Sequence, residues 1–327
     1  MSELRWHPLL EEWVITATHR QERTFHPPPE YCPLCPTRPG MPPTEVPAPD
    51  YEIVVFENRF PSLLREPPPP AVAPVPFSPV RASEGVCEVV LYTPDHNATL
   101  AELPVDALVQ LIYVWRDRYQ ELSRRPEVQY VFIFENKGRE IGVTLSHPHG
   151  QIYAYPFIPP QIERELHAQR RHMRRTGRCL LCEVAAFELA QRVRMVEENA
   201  HWVAMVPFFA RYPYEVWIVP RAHRRDLLEL EEQEIEPLGT ILKRVLMRYD
   251  GLWGFSMPYV MAQHPRPSDG KPHHEWHFHI EFYPPYRTPD KLKYLAGSEL
   301  GAGVFINDTL PEQTAAALRA VPLPQTV

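Results

Sequence analysis

The stretch EVVLYTPDH, residues 88–96, returns as EVWIVPRAH at 215–223. Each begins Glu-Val, continues as β-branched and apolar residues, and ends on a histidine in ninth place. That composition fits a pleated, largely buried strand. The segments after these strands repeat as well. PVDALVQLIYVWRDRYQELSRR reads as a helix with Leu108, Leu111, Ile112, Trp115, Tyr119 and Leu122 on one face. EEQEIEPLGTILKRVLMRYDGLW reads as a second, with Leu238, Ile241, Leu242, Val245 and Tyr249 on one face. Spacings of three and four residues set such side chains along one helical stripe. Each helix leads to an apolar strand, VQYVFIFEN (128–136) and MPYVMAQH (257–264), and then to a His-x-His, His147–His149 and His277–His279. Each half also carries a Cys-x-x-Cys, Cys32/Cys35 and Cys179/Cys182.

An order that occurs twice implies duplication. The expected fold is α+β, with two similar units over about 1–170 and 171–327, each an antiparallel sheet with a packed helix. Whether the units share one sheet stays open at this level. Two proline-rich stretches, 26–49 and 65–80, must be extended or irregular, because proline enters neither helix interiors nor central strands.

The 327 residues carry a net charge of −7, which disfavours a nucleic-acid or anionic-membrane partner. MSELRWHPLLEEW has no apolar core of secretion-signal type, and no run is long enough to span a membrane, so a cytoplasmic protein is expected. Four of the five cysteines form the two Cys-x-x-Cys pairs, which in that setting read as metal ligands. The fifth, Cys87, sits in an apolar run and is expected in the core.

Tetrahedral zinc takes four nitrogen and sulfur ligands in structural sites. Cys32, Cys35, His96 and one histidine of His147-Pro-His149 make such a set. Carried to the second half, the same logic gives Cys179, Cys182, His223 and His277. Residues two apart on a strand share a face, so His147 and His149 are expected side by side. One closes the zinc site, and the other imidazole is then available as a nucleophile or general base. Gly150 removes bulk beside it, and Gln151 offers an amide donor for a phosphoryl oxygen. An amide does not titrate, so Gln151 favours transfer between phosphates over hydrolysis.

HPHGQ (147–151), together with CPLCP, FENRFP, TPDH, ENKG and HFHIEFYPP in this order, strongly resembles the galactose-1-phosphate uridylyltransferase family, a branch of the histidine-triad superfamily. The resemblance covers nearly the whole chain. It implies duplicated histidine-triad-like domains and ping-pong transfer of uridylyl from UDP-glucose to galactose 1-phosphate. It assigns the nucleophile to His149, phosphoryl contact to Gln151, and zinc to Cys32, Cys35, His96 and His147. Asn58 and Phe60 match nucleotide-contacting positions, Asn136, Gly142, Val143 and Thr144 match a substrate-binding loop that leads into the active strand, and Arg20 and Arg23 match arginines that reach a phosphate across a homodimer. Lys293 and Glu299 match the sugar-phosphate segment. For a second metal, zinc or iron, the resemblance implies Glu165, His264, His277 and His279, which competes for His277 with the cysteine set. A related nucleotidylyltransferase, such as an ADP-sugar phosphorylase, is the alternative enzyme. A zinc-stabilised nucleotide-binding module without catalysis is the reading of a different class.

Overall fold

The computed structural model describes residues 2–22 and 27–324. The expected strands of both halves join one antiparallel sheet. In chain order its strands are β3 (Val54–Glu57), β5 (Val86–Leu91), β6 (Tyr130–Lys137) and β7 (His149–Tyr155), then β8 (Met195–Glu198), β9 (Trp202–Met205), β10 (Val216–Pro220), β11 (Tyr259–His264) and β12 (His279–Tyr283). They lie side by side as β3-β5-β7-β6-β11-β12-β10-β9-β8. About the central β6–β11 pair, where Asn136 faces Val260 and Phe134 faces Ala262, the order β6-β7-β5-β3 on one side is matched by β11-β12-β10-β9 on the other, and β8 is an additional edge strand. β1 (Ser2–His7), β2 (Glu12–Ala17) and β4 (Val80–Ala82) form a separate three-stranded sheet, and β13 (Tyr286–Thr288) with β14 (Lys291–Leu292) a small ribbon.

The two anticipated helices are α1 (Val105–Ser123) and α4 (Glu232–Trp253). Every residue assigned above to their apolar faces is buried. Both helices pack against each other and against one face of the sheet, in a core that holds Trp115, Tyr119, Trp202, Tyr249, Phe278 and Phe282. Burying a large apolar side chain contributes about 1.5–3 kcal/mol, so this layer supplies much of the driving force. Cys87 is fully buried, as expected.

The opposite face carries the first proline-rich segment, through Cys32, Leu34 and Val46, together with α2 (Pro160–Thr176) and α3 (Leu180–Gln191). α2 spans the 170/171 division and lays Ile162 and Leu166 on Tyr130 and Trp276, one aromatic from each half. α5 (Pro311–Ala320) packs on α4 and β8. Strand alternation sends Ile152 and Ala154 to the helices and His149, Gln151 and Tyr153 to the other face. His149 and Gln151 therefore sit on the face away from the helical layer.

Candidate active site

The first histidine of each His-x-His lies just before its strand, not on it, because β7 starts at His149 and β12 at His279. The expectation that His147 and His149 stand side by side on a strand is corrected accordingly. Their rings divide the work by tautomer. His147 Nε2 is 2.9 Å from the Thr93 carbonyl, which can only accept, so that nitrogen bears the proton. Its Nδ1 lone pair then faces the Cys35 thiol at 3.4 Å. His149 is the reverse: Nδ1 donates to the His147 carbonyl at 2.8 Å, which leaves the lone pair on Nε2.

Cys32, Cys35, His96 and His147 place one donor atom each within 4.8 Å of all the others. Cys35 Sγ is 3.3 Å from His96 Nδ1. Around a tetrahedral zinc, with Zn–S near 2.3 Å and Zn–N near 2.0–2.1 Å, a sulfur–nitrogen edge is about 3.6 Å. The cluster fits that ion. The carbonyl behind His147 is the outer partner that zinc-bound imidazoles require. Tyr51 reinforces it, with its hydroxyl 3.0 Å from the same Nε2. Burial pushes His147 down to about 4, so it is neutral and able to ligate at pH 7.

The second cysteine cluster repeats the design. Cys179, Cys182, His223 and His277 form a set of the same size. Cys182 Sγ lies 3.2 Å from His277 Nδ1 and 3.6 Å from His223 Nδ1. The two Nε2 atoms sit 3.1 Å from the carbonyls of Pro220 and His274. Pro220 O holds His277 as Thr93 O holds His147.

The structure separates the two ligand sets that competed for His277. His277 turns to the thiols. Glu165 of α2, His264 and His279 gather instead with Glu281, again within 4.8 Å. Glu281 was not singled out in the sequence, although it follows His279 by two residues and so shares its face. Within this cluster, His279 donates from Nδ1 to the His277 carbonyl and aims an Nε2 lone pair at Glu281, 3.2 Å away. Neither atom is a donor, and both carboxylate oxygens of Glu281 are buried without a hydrogen-bond partner. A cation satisfies all of them. Burial opposes charge on both Glu165 and His264, yet their mutual attraction wins, holding the Glu165 carboxyl low and raising His264; a metal in the cluster would displace the His264 proton.

His149 stands where two clefts meet. One is lined by Leu34, Phe56, Asn58, Phe60, Val89, Thr144 and Gln151. The other, about 390 Å³, is lined by Asn136, Lys137, Arg139, Glu140, Val143, Phe255 and Tyr286 among others. Only His149 and Leu145 belong to both. Asn58 Oδ1 accepts from the Phe60 amide at 2.8 Å and shapes the narrower cleft. Gly142, at φ +84°, closes the turn that presents Val143 and Thr144 to opposite clefts.

Gln151 is oriented from behind. Arg20 donates to the Phe60 carbonyl at 2.8 Å and to the Tyr153 hydroxyl at 3.4 Å. Tyr153 in turn donates to Gln151 Oε1 at 3.3 Å, which turns the amide nitrogen outward. Arg23 lies outside the described residues. Lys293 and Glu299 line neither cleft. They pair with each other at 3.0 Å, buried within their own segment.

A family model described as galactose-1-phosphate uridyl transferase, N-terminal domain, matches residues 1–159, and its C-terminal counterpart matches residues 165–326. The chain belongs to the galactose-1-phosphate uridylyltransferase family. A galactose-1-phosphate uridylyltransferase of Thermotoga maritima is 44% identical over 322 residues, covering 98% of each chain. Among solved structures, a uridylyltransferase matches with a TM-score of 0.87 at 34% identity, over 98% of both chains. An ADP-glucose phosphorylase of Arabidopsis thaliana, with bound ADP-glucose, matches with a TM-score of 0.75 at 25% identity, over 99% of this chain and 100% of that one. Membership of the uridylyltransferase family makes this chain a nucleotidyltransferase. No helix among the described residues is long and apolar enough to cross a membrane.

Proposed function

We propose that the chain moves uridylyl from UDP-glucose to galactose 1-phosphate through a covalent uridylyl-His149. One observation carries this reading: His149 sits between two clefts with its Nδ1 tied to a carbonyl. The narrower cleft, with Phe56, Phe60 and Asn58, suits a nucleoside. The wider one then takes the group that leaves and the group that enters. In the first half-reaction the Nε2 lone pair attacks the α-phosphorus. The P–N bond forms as the bond to the glucose 1-phosphate oxygen breaks, and that oxygen keeps the electron pair. The imidazolium so formed is stabilised by its Nδ1–H bond to the His147 carbonyl. A phosphate leaving group needs no proton, which matches a glutamine rather than an acid at position 151. Galactose 1-phosphate reverses the process: its phosphate oxygen bonds to phosphorus, the P–N bond breaks, and the pair returns to Nε2. The outward-turned Gln151 amide donates to the non-bridging oxygens throughout.

The donor chemistry supports zinc at both cysteine clusters, where it would serve as a structural cross-link. The third cluster, with two carboxylates and two imidazoles, suits zinc or iron(II). A homodimer is supported by the segment around Lys293 and Glu299. Their charges line neither cleft of their own chain, while Tyr294, Leu300, Val304 and Ile306 beside them are exposed apolar side chains. Thiol pairs arranged for metal rather than for disulfides support a reducing, cytoplasmic setting.

The test is the intact mass of the protein after incubation with UDP-glucose alone, beside His149→Ala. A gain of one uridylyl group, absent in the variant and discharged by galactose 1-phosphate, is expected. A gain with ADP-glucose instead would transfer the reading to an ADP-sugar phosphorylase. No adduct with either nucleotide sugar would leave a binding module.

A further inference from the structure

We propose that Arg139 is a substrate-binding residue supplied by the same chain, whose guanidinium takes the phosphate of the hexose 1-phosphate in the wider cleft. This rests on the reading that His149 carries the uridylyl group between the clefts. If the nucleoside lies in the narrower cleft, the other ligand on phosphorus must project into the wider one, and in both half-reactions that ligand is a sugar phosphate. The wider cleft must therefore hold an anion.

Its charged residues are few. Lys137 is already paired, with Nζ 3.2 Å from Asp250. Glu135 is buried and pushed up to about 8, so it is neutral at pH 7 and does not repel an anion. Glu140 lies against the Tyr286 hydroxyl, a pair of groups suited to sugar hydroxyls. Arg139 is exposed and has no ion pair among the described residues. It is thus the cation whose charge is not already neutralised.

Its position is fixed by the backbone. Arg139 opens a single turn, Arg139–Ile141, between Gly138 at φ +103° and Gly142 at φ +84°. Both angles favour glycine. A Cβ at Gly138 would come within 2.5 Å of Pro258, so the turn lies flat against the cleft wall. The amide of Gly142 closes it on the Arg139 carbonyl at 3.0 Å. A guanidinium on a turn packed against Pro258 at Gly138 and closed by its own hydrogen bond matches the bidentate demands of a phosphate.

The experiment compares wild type, Arg139→Gln and Arg139→Lys. Each is charged with saturating UDP-glucose, checked by intact mass, and discharged with increasing galactose 1-phosphate. Arg139→Gln should charge at His149 but need about tenfold more galactose 1-phosphate for half-maximal discharge. The limiting discharge rate should change far less, and Arg139→Lys should recover part of the loss. Inorganic phosphate should inhibit discharge of the wild type better than that of Arg139→Gln, while UMP, which fills only the nucleoside cleft, should bind both equally. Discharge of Arg139→Gln at the wild-type concentration would overturn the proposal. So would weaker UMP binding, which would put Arg139 on the nucleotide. Failure of the wild type itself to charge would instead overturn the reading of His149.

Discussion

At His149 and at His279 the backbone makes the same contact. Each Nδ1–H reaches the carbonyl two residues back, at 2.8 and 3.0 Å. Each preceding histidine turns its Nδ1 to a Cys-x-x-Cys. The surroundings of the two Nε2 atoms differ. Around His149 are two clefts and the amide of Gln151. Around His279 are Trp217, stacked at 5.1 Å between ring centroids, and the carboxylates of Glu165 and Glu281. Val89 pairs across from Gln151, whereas Trp217 pairs across from Glu281. One larger cross-strand ring, one helix bringing Glu165, and one carboxylate for an amide close the second site. The shared backbone device therefore only prepares a lone pair. On the proposed function, its neighbours decide whether that lone pair meets phosphorus or a cation.

The largest expected effect comes from giving the open site the closed site's residue. Gln151→Glu removes a donor and faces the phosphoryl oxygens with a like charge. Its uridylylation rate should fall by on the order of 10²–10³ or more. The reciprocal Glu281→Gln should lower metal content and melting temperature while His149 still charges. Equal loss of adduct in both variants, read by stopped-time intact mass, would abolish the functional contrast between the halves.

The two cysteine clusters extend the contrast to metal exchange. Cys32, Cys35 and His147 are buried beneath the segment they anchor. Cys182 is half-buried, and His223 is exposed on an open cleft shared with Arg225 and His274. A chelator should therefore release zinc in two phases, the faster from the second site. Cys182→Ser should lack the fast phase. Cys35→Ser should lack the slow one and melt lower by on the order of 5 °C, because the proline-rich segment loses its cross-link. A single phase that both variants share equally would show that solvent access does not rank the sites.

Much of this contrast could be read from residue order. The repeated strand, helix and His-x-His are short-range patterns, and both metal sets follow from Cys-x-x-Cys plus a histidine at matched positions. The shared sheet could not be read, because nothing local in VQYVFIFEN or MPYVMAQH states that β6 pairs with β11. The start of β7 hid a second point: the strand begins at His149, as β12 begins at His279, so His147 and His277 each lie two residues before their strand. Glu281 was legible by alternation from His279, yet an acid on a strand is ordinary until Glu165 arrives from α2. Arg139 had no periodic signal at all. Its role depends on a turn and on Pro258, far away in sequence.

Gly150 yields the smallest effect and the most local one. It follows His149, as Ile280 follows His279, and both positions face the helical layer. Ile280 is fully buried there, so the register itself accepts a large side chain. At Gly150 a Cβ would lie 2.1 Å from the Tyr92 hydroxyl oxygen, which is buried without a hydrogen-bond partner. Gly150→Ala should therefore cost about 1–3 kcal/mol in urea denaturation, as overpacked cores do. Tyr92→Phe removes an oxygen that gains nothing from burial and should be neutral or slightly stabilising. Together they should recover part of the loss but not all of it, because the Phe134 carbonyl would still stand 3.2 Å from the new methyl. If the double variant is as unstable as Gly150→Ala alone, the tyrosine is not what excludes a side chain beside His149. The need for glycine would then lie in the approach of the β6 backbone.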